Sequence, residues 1–205
     1  MLPAGVTSSL GWRRRLPALL AVVLLAMGWV SPVSAQASPK GGAYRAEALR
    51  ALFLINFARF TEWPEAAPVL KDPFVIGVAG SRSLEDELLA LAESQRVRER
   101  RIHVIRIKSA NDLAGCHLVY ISPISTPGEE PAPGAAELLP ALRHKPVLTV
   151  SESPTFLADG GIVNFYVGEG DKLRFEIALR NARAASLDLS SKLLALARIV
   201  DPPAP

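Results

Sequence analysis

The residues that could do chemistry in this 205-residue chain are few and widely spaced. One cysteine, Cys116, and three histidines, His103, His117 and His144, are its whole supply of thiol and imidazole ligands. A zinc site built on several cysteines is therefore excluded, and no metal-ligating set is assigned. Ser151-Glu152-Ser153 places a hydroxyl beside a carboxylate, but it lacks the G-x-S-x-G elbow, and no histidine lies at an assignable position. The carboxylates Glu62, Glu152 and Glu176 form no acid–base pair that spacing identifies. Gly77-Val78-Ala79-Gly80-Ser81 lies where phosphate loops occur, without the spacing of a dinucleotide or P-loop motif. It reads as a tight turn before a helix whose free N–H groups could hold an anion. The basic run Arg96-Val97-Arg98-Glu99-Arg100-Arg101 has no interleaved aromatics and reads as a solvated link into a strand. The chain is accordingly read as non-enzymatic, with no catalytic residue and no cofactor, and Cys116 as a small buried hydrophobe carrying a free thiol.

Recognition is a better prospect than catalysis. In Gly160-Gly161-Ile162-Val163-Asn164-Phe165-Tyr166-Val167, alternation puts Ile162, Asn164 and Tyr166 on one face and Val163, Phe165 and Val167 on the other. Leu173 to Ile177 follows across a turn with two glycines, which makes an antiparallel hairpin. At a sheet edge its open backbone and outward aromatics could meet a partner or a second copy; it could equally be an ordinary edge hairpin. Ile162, Asn164, Phe165, Tyr166 and Glu176 are the candidate partner-binding residues. Glu176 is either an outward-facing charge or half of a buried ion pair.

The elements that must position these groups follow from periodicity. Leu49, Leu52, Phe53, Ile55, Phe57 and Phe60 recur at helical spacing in a helix expected over about Tyr44 to Phe60, halted by Trp63-Pro64. Phe74 to Val78, Ile102 to Ile107, His117 to Ile121 and Val147 to Val150 read as strands. The second has mixed facing, with Ile102 and Val104 opposed to Ile105 and Ile107. Ser83 with Asp86 suggests a capping box for a helix running to Glu93. Ala135 to Leu142 is a short helix after a loop, Pro123 to Gly134, with four prolines and two glycines. A last helix is expected over roughly Ala178 to Val200, broken near Leu187-Asp188-Leu189-Ser190. The order implies an α/β layered sandwich: a largely parallel sheet, an antiparallel edge hairpin and flanking helices.

Residues 1–35 stand apart. Arg13-Arg14-Arg15 precede the uncharged apolar run Leu16 to Val30 and the small residues Ser31 to Ala35. This is the pattern of a secretory signal peptide cleaved after Ala35 or Ala37, and the run is shorter than the roughly twenty residues that span a bilayer. Residues 36–43 then form a short flexible spacer, 44–200 a single domain and 201–205 a tail. The net charge of +3 resides in the three leader arginines; without them basic and acidic residues balance, so nothing global favours nucleic acid or an anionic membrane.

Seven ordered segments carry a resemblance: ALFLINFARFTEWP (51–64), PFVIGVAG (73–80), LAGCHLVYIS (113–122), PVLTVSESPTF (146–156), GGIVNFYV (160–167), LRFEIAL (173–179) and SSKLLALARIV (190–200). Together they resemble the YfiR family. The resemblance implies a periplasmic α/β protein, often a homodimer, without catalytic activity. Such a protein binds the periplasmic domain of an inner-membrane diguanylate cyclase and represses it, restraining cyclic-di-GMP and the exopolysaccharide and biofilm output that follow. Other members are expected to pair with different membrane sensors such as histidine kinases. A rival expectation is a periplasmic small-molecule-binding sensor or accessory module. Redox-sensitive members carry disulfides; here Cys116 occupies a family cysteine position, and its expected partner position holds Gly77. An intramolecular disulfide is thus excluded; release of the partner then uses another signal, or Cys116 pairs between chains.

Overall fold

A computed structural model describes residues 39–64, 73–124 and 131–200. The segment read as a signal peptide and the residues read as a tail lie outside them, as does part of the proline-rich loop. The first helix, α1 (Pro39–Arg59), starts earlier than expected, so Pro39 to Gly42 is helical rather than a flexible spacer. Its last turn closes where Thr61 Oγ1 donates to the Phe57 carbonyl at 2.7 Å. The chain leaves the helix into β1 (Thr61–Glu62) before Trp63-Pro64, in line with the bias against helix before proline.

The main sheet is built from β2 (Phe74–Ala79), β3 (Arg96–Val97), β4 (Arg100–Arg106), β5 (Leu118–Ile121), β6 (Leu148–Ser151), β7 (Val163–Val167), β8 (Leu173–Ile177) and β10 (Arg198–Ile199). Its order is β10-β8-β7-β6-β5-β2-β4-β3. The run from β4 through β2, β5 and β6 to β7 is parallel; β7 and β8 form the antiparallel hairpin. The hairpin lies at one end of the sheet, with one addition: the two-residue β10 pairs in parallel on β8 and takes the edge.

Every residue of β5 and β6 is buried, because helices cover both faces of a parallel sheet. Alternate residues of β5 divide between two cores. Leu118 and Tyr120 join Leu54, Phe57, Phe74 and Ile76 beneath α1 and α2 (Arg82–Ser94). Val119 and Ile121 join Cys116, Leu138, Leu142 and Phe156 on the face covered by α3 (Ala135–Leu142). The same division explains the mixed facing of β4. Ile102 and Val104 belong to the first core, while Ile105 and Ile107 pack with the second.

Three expectations are corrected. The cap of α2 is Ser81, whose side chain accepts from the Leu84 N–H at 3.3 Å; Ser83 sits inside the first turn. The basic run is a hairpin rather than a link, since β3 and β4 pair antiparallel and Arg98 and Glu99 turn the chain at φ 48° and 66°. The last helix is replaced by four short pieces: α4 (Leu179–Ala184), β9 (Asp188–Leu189), α5 (Ser191–Leu194) and β10. Ser186, at φ 56°, ends the helical path, and Asp188–Leu189 is drawn into an antiparallel pair with β1.

From β2 the chain moves outward through α2 to β4, then crosses back to place β5 on the other side of β2. The carboxyl ends of β2 and β5 therefore diverge into connections on opposite sides. In parallel α/β sheets that divergence opens a crevice.

Candidate functional site

The crevice is bordered by the residues that follow three strands: Gly80 after β2, Ser122 after β5 and Glu152 after β6. Gly80 adopts φ +81°, and a Cβ there would lie 3.1 Å from the Ser122 Cβ, so this corner suits glycine on both counts. From above, α1 contributes Glu47 and Arg50, which lie on one helix face at i,i+3 spacing. Together with Tyr120 and Ser81 these groups line a cavity of about 300 Å³.

Arg50 and Glu152 dominate its chemistry. Arg50 Nη2 donates to Glu152 Oε2 at 2.8 Å, and Nε stands 2.6 Å from Oε1. Tyr120 Oη donates to Glu152 Oε1 at 2.7 Å. Glu47 receives only a 3.5 Å contact from Arg50 Nη1 at Oε1, and its Oε2 is buried without a hydrogen-bond partner. Burial raises the Glu47 carboxyl above the ordinary carboxylate range; Arg50 opposes that, and Glu152 and Glu87 add to it. Burial, followed by the charge and hydrogen bond of Glu152, also raises the Tyr120 hydroxyl, so it stays a donor. Burial pulls the Arg50 guanidinium down, but Glu152 more than offsets it.

Removing Arg50 leaves two carboxylates facing each other without their cation. Breaking a fully buried pair costs about 3–5 kcal/mol, and this one keeps some solvent access, so Arg50→Ala is expected to lose about 2 kcal/mol. A double-mutant cycle with Glu152→Gln in chemical denaturation measures the coupling. Strictly additive losses would show that the pair contributes nothing.

The sequence singled out Glu152 but not its partners. Glu47 and Arg50 had a usable signal in their shared helix face; Tyr120 had none, since it sits in an apolar strand. Ser151 is buried and its hydroxyl donates to the Ile121 carbonyl at 2.6 Å, a structural bond between strands. Among the described residues no group of three His, Cys, Asp or Glu side chains could hold a metal.

The hairpin residues divide. Ile162, Asn164 and Phe165 are buried, and Phe165 stacks among the phenylalanines beneath α1. Tyr166 and Glu176 keep partial access to solvent. Cross-strand register sets Asn164 opposite Glu176, and Asn164 Nδ2 donates to Glu176 Oε1 at 3.3 Å. Arg198 of β10 bonds Glu176 Oε2 through Nε at 3.0 Å and through Nη2, and lies 4.5 Å over the Tyr166 ring. Glu176 is therefore half of an ion pair that fastens β10 to the sheet.

Cys116 is buried, its Sγ 3.6 Å from the Asp112 carbonyl. Burial, helped by the Asp112 charge, pushes its thiol up to about 12. The native protein should therefore react negligibly with a thiol reagent at pH 8, and fully once unfolded. Equal rates in both states would contradict this burial. Cys116 also packs over β2: a Cβ built on Gly77 would lie 3.2 Å from its Sγ.

Comparison with known proteins adds two findings. A family model described as YfiR/HmsC-like matches residues 47–198, from within α1 into β10. No curated protein matches the chain.

Proposed function

Given that the chain belongs to the YfiR/HmsC-like family, we propose that it represses an inner-membrane diguanylate cyclase by binding that enzyme's periplasmic domain. The family is one of periplasmic, non-catalytic regulators of diguanylate cyclases, and the match over 47–198 carries the reading. Export uses the leader: Arg13 to Arg15, the apolar run Leu16 to Val30, and cleavage after Ala35 or Ala37. Among the described residues no helix is long and apolar enough to cross a membrane. The working form is a homodimer, and Tyr166 and Glu176 contribute the solvent-facing part of the partner surface.

Repression of this kind is differential binding. The protein shifts its partner only by as much as it prefers the inactive conformation. Moving a partner from 1:99 to 99:1 in favour of the inactive state takes a preference of about 10⁴, or roughly 5.5 kcal/mol. Deleting the gene should raise cyclic-di-GMP in the source strain, and complementation should restore it. An unchanged level sinks cyclase repression. The 300 Å³ crevice favours a second reading, a small-molecule sensor serving another membrane receptor such as a histidine kinase. Affinity capture of detergent-solubilised membrane proteins on the purified protein separates the two by the receptor retained.

A further inference from the structure

His117, set just before β5, carries a hydrogen-bond conflict in the body of the sheet. The residue is 2% exposed and ties three strands together: its N–H donates to the Val75 carbonyl at 3.0 Å, and its carbonyl accepts from the Leu148 N–H at 2.9 Å. Its ring centroid lies 4.5 Å from that of Phe74 and 6.3 Å from that of Trp63. Both ring nitrogens meet donors. Nδ1 accepts the Val75 N–H at 3.0 Å, and Nε2 stands 2.8 Å from Arg100 Nη2. The same guanidinium nitrogen donates to the Pro73 carbonyl at 3.0 Å.

A neutral imidazole offers one bare nitrogen, and an imidazolium offers none. A backbone N–H can only donate, and a guanidinium keeps its protons and has no acceptor. The neutral ring therefore suits one of its two neighbours and turns an N–H toward the other. With Nδ1 bare, as the Val75 bond requires, a second proton would land on Nδ1 itself. It would break that bond and set a new positive charge beside the Arg100 guanidinium. Burial adds to the cost of the charge. The elements packed on the ring are β2, through Phe74 and Val75, β4, through Arg100, and the segment after β1, through Trp63. Among the described residues, Arg100 is the charged group these contacts bring to it. Cys116, its neighbour in sequence, packs into the second core.

We propose that His117 is an acid-sensitive latch: its ring holds the start of β2 only while uncharged, and taking up a proton expels it from beside Phe74 and Trp63. The direction follows from proton counting. In the unfolded chain a histidine takes up its proton near pH 6.5, roughly. The folded seat refuses that proton, so below this pH the unfolded state binds more protons and stability falls with acid. The chain has one cysteine and no internal disulfide to break, and a proton is a signal it can still read.

The latch needs no partner protein, so its test is independent of cyclase repression. Urea unfolding of the purified exported chain is followed by the fluorescence of Trp63, the one tryptophan beyond the leader. From pH 7.5 to 5.5 the folding constant of the parent should fall about tenfold more than that of His117→Asn, a difference of about 1.4 kcal/mol. Asparagine keeps an acceptor for the Val75 N–H but takes up no proton. Nitrogen-resolved magnetic resonance of labelled histidine gives a second measurement that needs no variant. At pH 5.5 the folded chain should still show His117 with one bare nitrogen. A doubly protonated His117 in the folded chain overturns the proposal, as does the same pH dependence in parent and variant.

Discussion

Replacing Phe57 with alanine should cost about 3–5 kcal/mol, a large part of the 5–15 kcal/mol that holds a domain of this size together. The side chain is fully buried, and its ring centroid lies 4.9 Å from Phe175, 5.5 Å from Phe165 and 5.8 Å from Phe53. These edge-on and tilted packings add to simple burial. The three neighbours come from three elements, α1, β7 and β8, so a cavity there cannot collapse by shifting one side chain. Urea denaturation should show a lower midpoint at an unchanged slope. Phe60→Ala is the internal control: that ring is 37% exposed, and its loss should cost about 1 kcal/mol or less. Equal losses for the two would refute the packing described for α1.

The second large effect is a gain. In Gly77→Cys the new Cβ stands 3.2 Å from Cys116 Sγ, close to the roughly 3 Å that a disulfide imposes between one Cβ and the opposite sulfur. The chain segment so closed is roughly forty residues long, for which loop-closure entropy gives about 4 kcal/mol as an upper value. Against it stands Ile107, whose Cδ1 would lie 2.8 Å from the new Cβ and must rotate away. That overpacking costs about 1–3 kcal/mol and acts on the reduced form as well. The reduced variant should therefore melt below the parent and the oxidised variant above it. Free-thiol titration under denaturing conditions should find no thiol after oxidation. Two titratable thiols at that point would show that Gly77 and Cys116 do not face each other as described. The parent has one cysteine, so it lacks this brace, and that cysteine is buried.

Much of the frame was legible because it is local. β2, β5 and β6 announce themselves as short apolar runs, and a strand covered on both faces has little room for anything else. The β7–β8 hairpin follows from alternation around a turn with two glycines. On α1 the periodicity located the helix but not its buried side: Leu49, Leu52 and Phe60 are exposed, while Ala51, Leu54, Ile55 and Ala58 are buried. A helix apolar nearly all round does not reveal its inward face. The two-residue strands β1 and β9 carry no pattern of their own, and only their pairing makes them strands. Arg50 and Glu152 stand 102 residues apart, a contact that no local spacing could suggest. The capping serine was misplaced by two positions because Ser81 and Ser83 both suit a helix start, and strand length decides between them.

β1 and β9 make a very small sheet with a large kinetic consequence. Ser190 also donates its N–H to the Phe60 carbonyl at 2.9 Å, so the exit of the first helix is tied to a segment near residue 190. The rim of the principal core, at Leu187, Leu189 and Leu193, arrives from that same segment. Closing it requires contacts of very high sequence separation, and such contacts slow folding. A chain still emerging from the ribosome holds α1 without the residues that seal it. The core beneath α1 is complete only when Leu187, Leu189 and Leu193 are in place.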